Sequence, residues 1–287
     1  MDINAQTRLC LLLGSPVEHS LSPLIHNAGF EALKINYVYL ASPVEDKYVR
    51  SAVDGLKALS IAGANVTSPY KEAVIPYLDS LSEEARRIKS VNTIVNHNNA
   101  LYGASTDGQG FVNFFKKNAP ESSLNQPAMI IGAGGAARAI AYTMAQSGSS
   151  EIYIVNRSPE KGQALADMIK SETPLKNCSA FPLTFETMHP LLPICSLFIY
   201  CLPADSTEFL SVLGSGSSFK ASLLFDLRYQ PQKTAVMRAF TDAGGRAYNG
   251  LGMLFWQAVI SFELFTGKKA PLAEMQKALD NKLKMEG

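Results

Sequence analysis

Short apolar runs alternate with helically spaced apolar positions over most of the chain. "RLCLLLGS" reads as a first buried strand centred on residues 9–13. "LSPLIHNAGFEALK" has the spacing of an amphipathic helix, opened by Ser22 and Pro23. "NYVYLAS" is the next strand, "DKYVRSAVDGLKAL" the next helix and "GANVTS" a third strand. "PYKEAVIPYL" predicts a short helix, and "SEEARRIKS" another with Ser82 as its N-cap. "VNTIVNHNNALYGAST" reads as a hairpin that turns at Asn-Asn-Ala. A polar, proline-punctuated segment, "KKNAPESSLNQP" (116–127), then separates this series from a second one. The second begins with "AMIIGAGG" and continues through the strands "EIYIVN", "LFIYCL" and "SLLFDLRY", with "GSGSSFK" (214–220) as a flexible loop. From Gly250 to the end the pattern is helical. Strands alternating with helices predict an α/β fold built from parallel β/α units.

Composition narrows the function classes. A chain of 287 residues suggests two domains, and 47% hydrophobic with 18% charged residues is a globular rather than a disordered balance. The net charge of +1 gives no case for nucleic acid or an anionic membrane as partner. No apolar stretch approaches the roughly 18 residues of a membrane span. The four cysteines form no CxxC pair and no metal-ligand spacing, which favours reduced thiols in a cytoplasmic protein without a metal.

"AMIIGAGGAARAIAYTMAQSG" places a glycine-rich turn between an apolar strand and an amphipathic helix. Gly132 and Gly134 permit a tight turn and close approach of a pyrophosphate to the backbone. Ala133, Gly135 and Ala136 complete the turn, and the helix opening near Gly135 offers free N–H groups and the positive end of its dipole. Ala137 takes the third position of GxGxxG, a permitted variant. Roughly 20 residues beyond the first glycine, a site for NAD carries an acidic residue for the ribose 2′-hydroxyl. Here the strand ends in Asn156, Arg157 and Ser158, with Lys161 one turn on. A guanidinium binds a phosphate as a fork where a carboxylate repels it, so the site favours NADP. The plain alternative for Arg157 is a solvated arginine at a strand end.

Four polar clusters mark the first third: Ser20-Leu21-Ser22-Pro23, Asn65-Val66-Thr67, Asn92-Thr93 and Thr106-Asp107-Gly108. Each alone reads as a cap or a turn. Together they suit a small polyhydroxylated ligand, because a site built to bond hydroxyls rejects analogues that lack them. Lys71 and Asp107 are the ionisable candidates for proton transfer at a carbonyl or hydroxyl oxygen.

The motifs "SLSPLIHN", "NVTSPYK", "SVNTI", "STDGQGF", "GAGGAARA", "NRS", "DLRYQP" and "GLGMLFWQA" run in an order that resembles the shikimate dehydrogenases over almost the whole length. The resemblance implies a two-domain α/β enzyme with a cleft between its domains. A substrate domain would comprise 1–106 and 248–287, so that the C-terminal helices return to it, and a Rossmann NADP domain would comprise 107–247. It implies NADPH-dependent interconversion of 3-dehydroshikimate and shikimate on the route to chorismate, by a monomer or homodimer. Lys71 and Asp107 would be the catalytic pair. Ser20, Ser22, Asn65, Thr67, Asn92, Tyr229 and Gln257 would hold the substrate. Leu227 and Gly250 would approach the nicotinamide, and Glu83 matches an acidic position near the cofactor in some members. After "LFIYC" the family usually has an Asn-Ala-Thr or Asn-Thr-Thr segment and then Gly-Met; this chain reads "YCLPADSTEFL", which implies a different wall beside the cofactor. Two other readings stay open: a member with quinate or NAD use, and a non-catalytic NADP-binding regulator.

Overall fold

The structure, a computed structural model, describes residues 3–119 and 124–286; within the polar segment, residues 120–123 lie outside the described residues. The strands are β1 (Arg8–Gly14), β2 (Tyr37–Pro43), β3 (Gly63–Val66), β4 (Ser80–Leu81), β5 (Thr93–His97), β6 (Ala100–Ala104), β7 (Ala128–Ile131), β8 (Ile152–Asn156), β9 (Cys178–Pro182), β10 (Leu197–Tyr200), β11 (Leu223–Asp226) and β12 (Arg246–Asn249). The helices are α1 (Ser22–Ala32), α2 (Val49–Ala58), α3 (Glu83–Ile88), α4 (Asp107–Asn118), α5 (Gly135–Gln146), α6 (Pro159–Glu172), α7 (Phe185–Met188), α8 (Thr207–Leu213), α9 (Ala235–Asp242), α10 (Leu251–Thr266) and α11 (Leu272–Glu286). Two compact units result, one of Met1–Thr106 with Leu254–Gly287 and the other of Asp107–Met253.

The first unit holds a six-stranded sheet in the order β2-β1-β3-β5-β6-β4. β1 pairs parallel with β2 and β3, while β5 runs antiparallel to both β3 and β6. The sheet is mixed because a two-residue connection can join only antiparallel strands. That connection is Asn98-Asn99, at φ 52° and 68°, the left-handed geometry of a hairpin turn that asparagine tolerates well. One face of the sheet, carrying Ala64, Val66 and Ile94, packs with Val53, Leu56 and Val91, all nearly inaccessible.

Two local expectations change. The segment "PYKEAVIPYL" forms no α-helix: successive turns run from Ser68 to Val74 and end in a short 3-10 turn at Ile75–Tyr77. Pro76 has no N–H to give to an i−4 carbonyl, which stops a helix from propagating there. Ser22 does not cap α1; Leu21 occupies the cap position without a side-chain bond, and Pro23 lies in the first turn. Ser82 does cap α3, accepting from the Ala85 N–H at 3.1 Å.

The second unit has a parallel sheet in the order β12-β11-β10-β7-β8-β9. Strand order reverses at β7, which has β8 on one side and β10 on the other. In an open α/β sheet ligands bind outside the carboxyl ends of the strands at this switch point. The two edges, β9 ("CSAFP") and β12 ("RAYN"), lack the apolar run that made the inner strands legible. The loop 214–220 is anchored, since Phe219 is buried against Phe198 and Phe240.

Candidate active site

In the first unit, β3 brings Asn65 opposite Thr93 on β5. The Asn65 amide nitrogen lies within hydrogen-bond distance of the Asn92 carbonyl (3.0 Å), the Thr93 hydroxyl (3.1 Å) and the Ser261 hydroxyl (3.0 Å), which share its two protons. Its oxygen accepts from the Tyr39 hydroxyl at 2.8 Å. Asn92 extends the network: its amide nitrogen donates to Thr106 Oγ1 (2.9 Å) and reaches Gln257 Oε1 at 3.5 Å, and its oxygen accepts from the Thr106 N–H at 2.8 Å. Asn65, Asn92, Thr93, Thr106, Gln257 and Ser261 are all buried. Buried polar groups are costly unless bonded, so a network this complete fixes rotamers as well as contacts.

Gln257 and Ser261 stand four residues apart on α10 and so share a face of that helix. The same spacing was available in the sequence to extend the reading from Gln257 to Ser261. Tyr39 and His26 gave no comparable signal. His26 stacks on the Tyr39 ring at 4.3 Å and 1° and contacts Phe30, Phe262 and Phe265. Neither His26 ring nitrogen has a hydrogen-bond partner among the described residues. Burial pushes its pKa down to about 3, so the imidazole is neutral at physiological pH.

The segment bearing Lys71 is tied on several sides. Thr67 N–H donates to the Leu13 carbonyl (2.9 Å), and the Ser68 carbonyl accepts from Ser15 N–H (3.2 Å). The Tyr70 hydroxyl reaches the Val44 carbonyl at 2.6 Å and Asp46 Oδ1 at 2.7 Å, which gives this buried tyrosine a structural account. The Lys71 carbonyl accepts from Val91 N–H at 2.8 Å, one residue before Asn92, and the Lys71 side chain is half-buried. Thr67 is also half-buried. Ser22 is buried with its N–H on Ser20 Oγ at 3.2 Å. Glu83 is exposed and pairs with Arg87 at 2.5 Å, one turn along α3.

In the second unit, Asp107 is the buried first residue of α4. Gly132 sits at φ +118°, a conformation that L side chains rarely adopt. Ala133 is buried; Gly134 holds the cap position of α5 with no side chain bonded there, and Gly135 and Ala136 begin the helix. A Cβ on Gly134 would meet no atom within 4 Å, so the backbone faces open space. This shape fits a pyrophosphate set against helix N–H groups. Asn156 is buried, with its amide on the Ser158 carbonyl at 2.9 Å, whereas Arg157 and Lys161 are exposed. Arg157 and residues 202–208 line a cavity of about 240 Å³ at the ends of β8 and β10.

Leu227 and Gly250 come together: a Cβ on Gly250 would lie 1.9 Å from the Leu227 carbonyl oxygen, so only glycine fits. Tyr229 is half-buried in this unit. The unusual segment after β10 is firmly held. Arg228 bonds the fully buried Asp226 (2.6 Å) and Asp205 (2.8 Å) and lies over the Tyr200 ring at 4.8 Å. The Tyr200 hydroxyl in turn donates to the Ala204 carbonyl at 2.7 Å. Burial works against the Arg228 cation, but the two carboxylates outweigh it and raise its pKa.

Among the described residues no cluster of His, Cys, Asp and Glu could hold a metal ion, and no helix is long and apolar enough to cross a membrane. All four cysteines are free; burial raises the thiols of Cys10, Cys178 and Cys195 to about 12.

Comparison with known proteins decides the family. The shikimate dehydrogenase substrate-binding domain matches residues 12–94, the shikimate/quinate 5-dehydrogenase family residues 115–185, and the shikimate 5′-dehydrogenase C-terminal domain residues 250–279. The chain belongs to the shikimate dehydrogenase family. A shikimate dehydrogenase (NADP(+)) of Desulforamulus reducens is 39% identical over 96% of both chains. The crystal structure of shikimate 5-dehydrogenase from Listeria monocytogenes in complex with shikimate and NAD matches with a TM-score of 0.86 at 32% identity, covering 97% of this chain and 98% of that one. A shikimate dehydrogenase crystallised with NADP+ matches with a TM-score of 0.85 at 31% identity over 98% of this chain and 97% of the other.

Proposed function

We propose that this chain is a cytoplasmic NADP-dependent dehydrogenase that interconverts 3-dehydroshikimate and shikimate in the biosynthesis of chorismate and the aromatic amino acids. The observation that carries the reading is the 39% identity over 96% of both chains to a relative named for that activity. We assign substrate binding chiefly to the first unit and cofactor binding chiefly to the second; the division falls after Met253 rather than after residue 247, because β12 pairs with β11 through Tyr248 and Asn249.

Lys71 gives a proton to the substrate oxygen during reduction and takes it back during oxidation, and Asp107 orients the groups around that oxygen. The backbone bond from Val91 to Lys71 and the turns that follow Thr67 hold the lysine in place for this. Ser20, Ser22, Thr67, Asn92, Tyr229 and Gln257 bind the carboxylate and hydroxyls of the substrate. Asn65, whose amide already has four partners, contributes by fixing Thr93 and Asn92.

Bound NADPH supplies the hydride. The backbone from Gly132 through Ala133, Gly134, Gly135 and Ala136 receives the pyrophosphate. Asn156, Arg157, Ser158 and Lys161 recognise the adenosine ribose and its 2′-phosphate. Leu227 and Gly250 border the nicotinamide, with Glu83 at the cofactor position that the family resemblance gives it.

The test is a steady-state assay of the purified chain with shikimate and with quinate, each with NADP+ and with NAD+. Highest kcat/KM for shikimate with NADP+ supports the reading; higher kcat/KM for quinate, or no turnover of either, overturns it.

A further inference from the structure

The cavity beside Arg157 carries a charge that NADP selectivity alone does not explain. Its wall, residues 202–208, includes two carboxylates, Asp205 and Glu208. Asp205 already has a cation beside it, Arg228 at 2.8 Å, which it shares with Asp226. Glu208 forms no ion pair among the described residues; the Arg157 guanidinium lines the same cavity and acts on it from beyond ion-pair distance. It is nevertheless fixed in place: the Ser206 hydroxyl donates to Glu208 Oε2 at 2.6 Å, and the same oxygen of Ser206 accepts from Phe209 N–H at 3.2 Å. The Ser206 bond and the backbone N–H of Glu208 hold its carboxyl below the usual range, with Arg157 adding to the effect, so it is ionised at neutral pH.

The two nucleotides differ at this point. A 2′-phosphate adds nearly two negative charges and must share Arg157 with the carboxylate, which opposes it. A 2′-hydroxyl instead has a proton to donate, and a carboxylate is the acceptor that NAD sites employ. We propose that Glu208 is a specificity-determining residue that weakens the preference of Arg157 for NADP and lets the site accept NAD. This rests on the cofactor reading above and extends it to the cofactor range.

The experiment measures dissociation constants of NADP+, NAD+, 2′,5′-ADP and 5′-AMP by calorimetry at one low ionic strength, for the native protein, Glu208→Gln and Glu208→Lys. Glu208 is exposed, so neither substitution disturbs the core. The amide should tighten NADP+ and 2′,5′-ADP by about two- to fivefold, the range of exposed charge pairs, and leave NAD+ and 5′-AMP unchanged or weaker. The lysine should shift the ratio further in the same direction. An NADP+/NAD+ affinity ratio unchanged in both variants, or all four ligands moving together, overturns the role of Glu208 alone. Failure of the native protein to bind any of the four overturns the cofactor reading beneath it.

Discussion

The polar residues around Asn65 and the glycine turn at Gly132 solve opposite problems. Around Asn65 the side chains satisfy one another, so that buried amides and hydroxyls are fixed by a closed set of bonds. At the glycine turn no side chain caps α5, and the space ahead of Gly134 is open. One region is prepared by filling every partner, the other by leaving room for backbone donors to meet an anion. Substitutions in the first should therefore register in stability, and those in the second in ligand affinity.

Lys71 tests the limit of that contrast, because it lies beside the closed network yet is assigned chemistry. Lys71→Ala should lower kcat by roughly 10²–10⁴-fold with an unchanged melting temperature. Unchanged turnover would remove its role in proton transfer. Next comes Asn65→Leu, which strips partners from Tyr39, Thr93 and Ser261 at once. We expect a loss of about 2–4 kcal/mol in urea unfolding; a loss near zero would mean the network is not what holds these side chains.

Gly134→Ala separates the two regions most cleanly. The new methyl meets nothing in the protein, so stability should hold while the dissociation constant for NADP+ rises about tenfold, a change of about 1.4 kcal/mol. Gly132→Ala should instead cost stability itself, because of its φ of +118°. Equal affinity in the Gly134 variant would argue against pyrophosphate at this turn.

A subtler effect belongs to His26. Its folded pKa, about 3, lies below the ordinary 6.5, so the unfolded chain binds the extra proton first as pH falls. The stability tied to its neutral form is complete above pH 6.5 and is lost progressively toward pH 3. The slope should approach 1.4 kcal/mol per pH unit, roughly one proton. His26→Phe should flatten that limb in denaturation curves; parallel curves would show that His26 titrates normally.

Much of this was legible in the chain. Inner strands such as β7 and β8 are continuous apolar runs, and "GAGGAA" sits between a strand and a helix where its chemistry requires. Edge strands β9 and β12 were not, because a strand paired on one side needs less apolar sequence. The helix expected after Pro69 failed on Pro76, a local rule that overrode the periodicity around it. Thr93 and Thr106 stood inside polar clusters, but Tyr39 and Ser261 enter through pairings of 26 and 196 residues' separation. The four-residue spacing from Gln257 could have flagged Ser261 as sharing its helix face, but no local pattern encodes the long-range pairings themselves. Tyr70 shows the same thing: only the fold reveals Val44 and Asp46 as its partners.

Everything assigned to this chain converges on reduction of one ketone by NADPH. The most direct measurement incubates the purified native chain with NADPH and 3-dehydroshikimate and identifies the product by mass and chromatography. NADPH oxidation should be matched one-to-one by shikimate. Folded protein that binds NADPH yet forms no shikimate would contradict it.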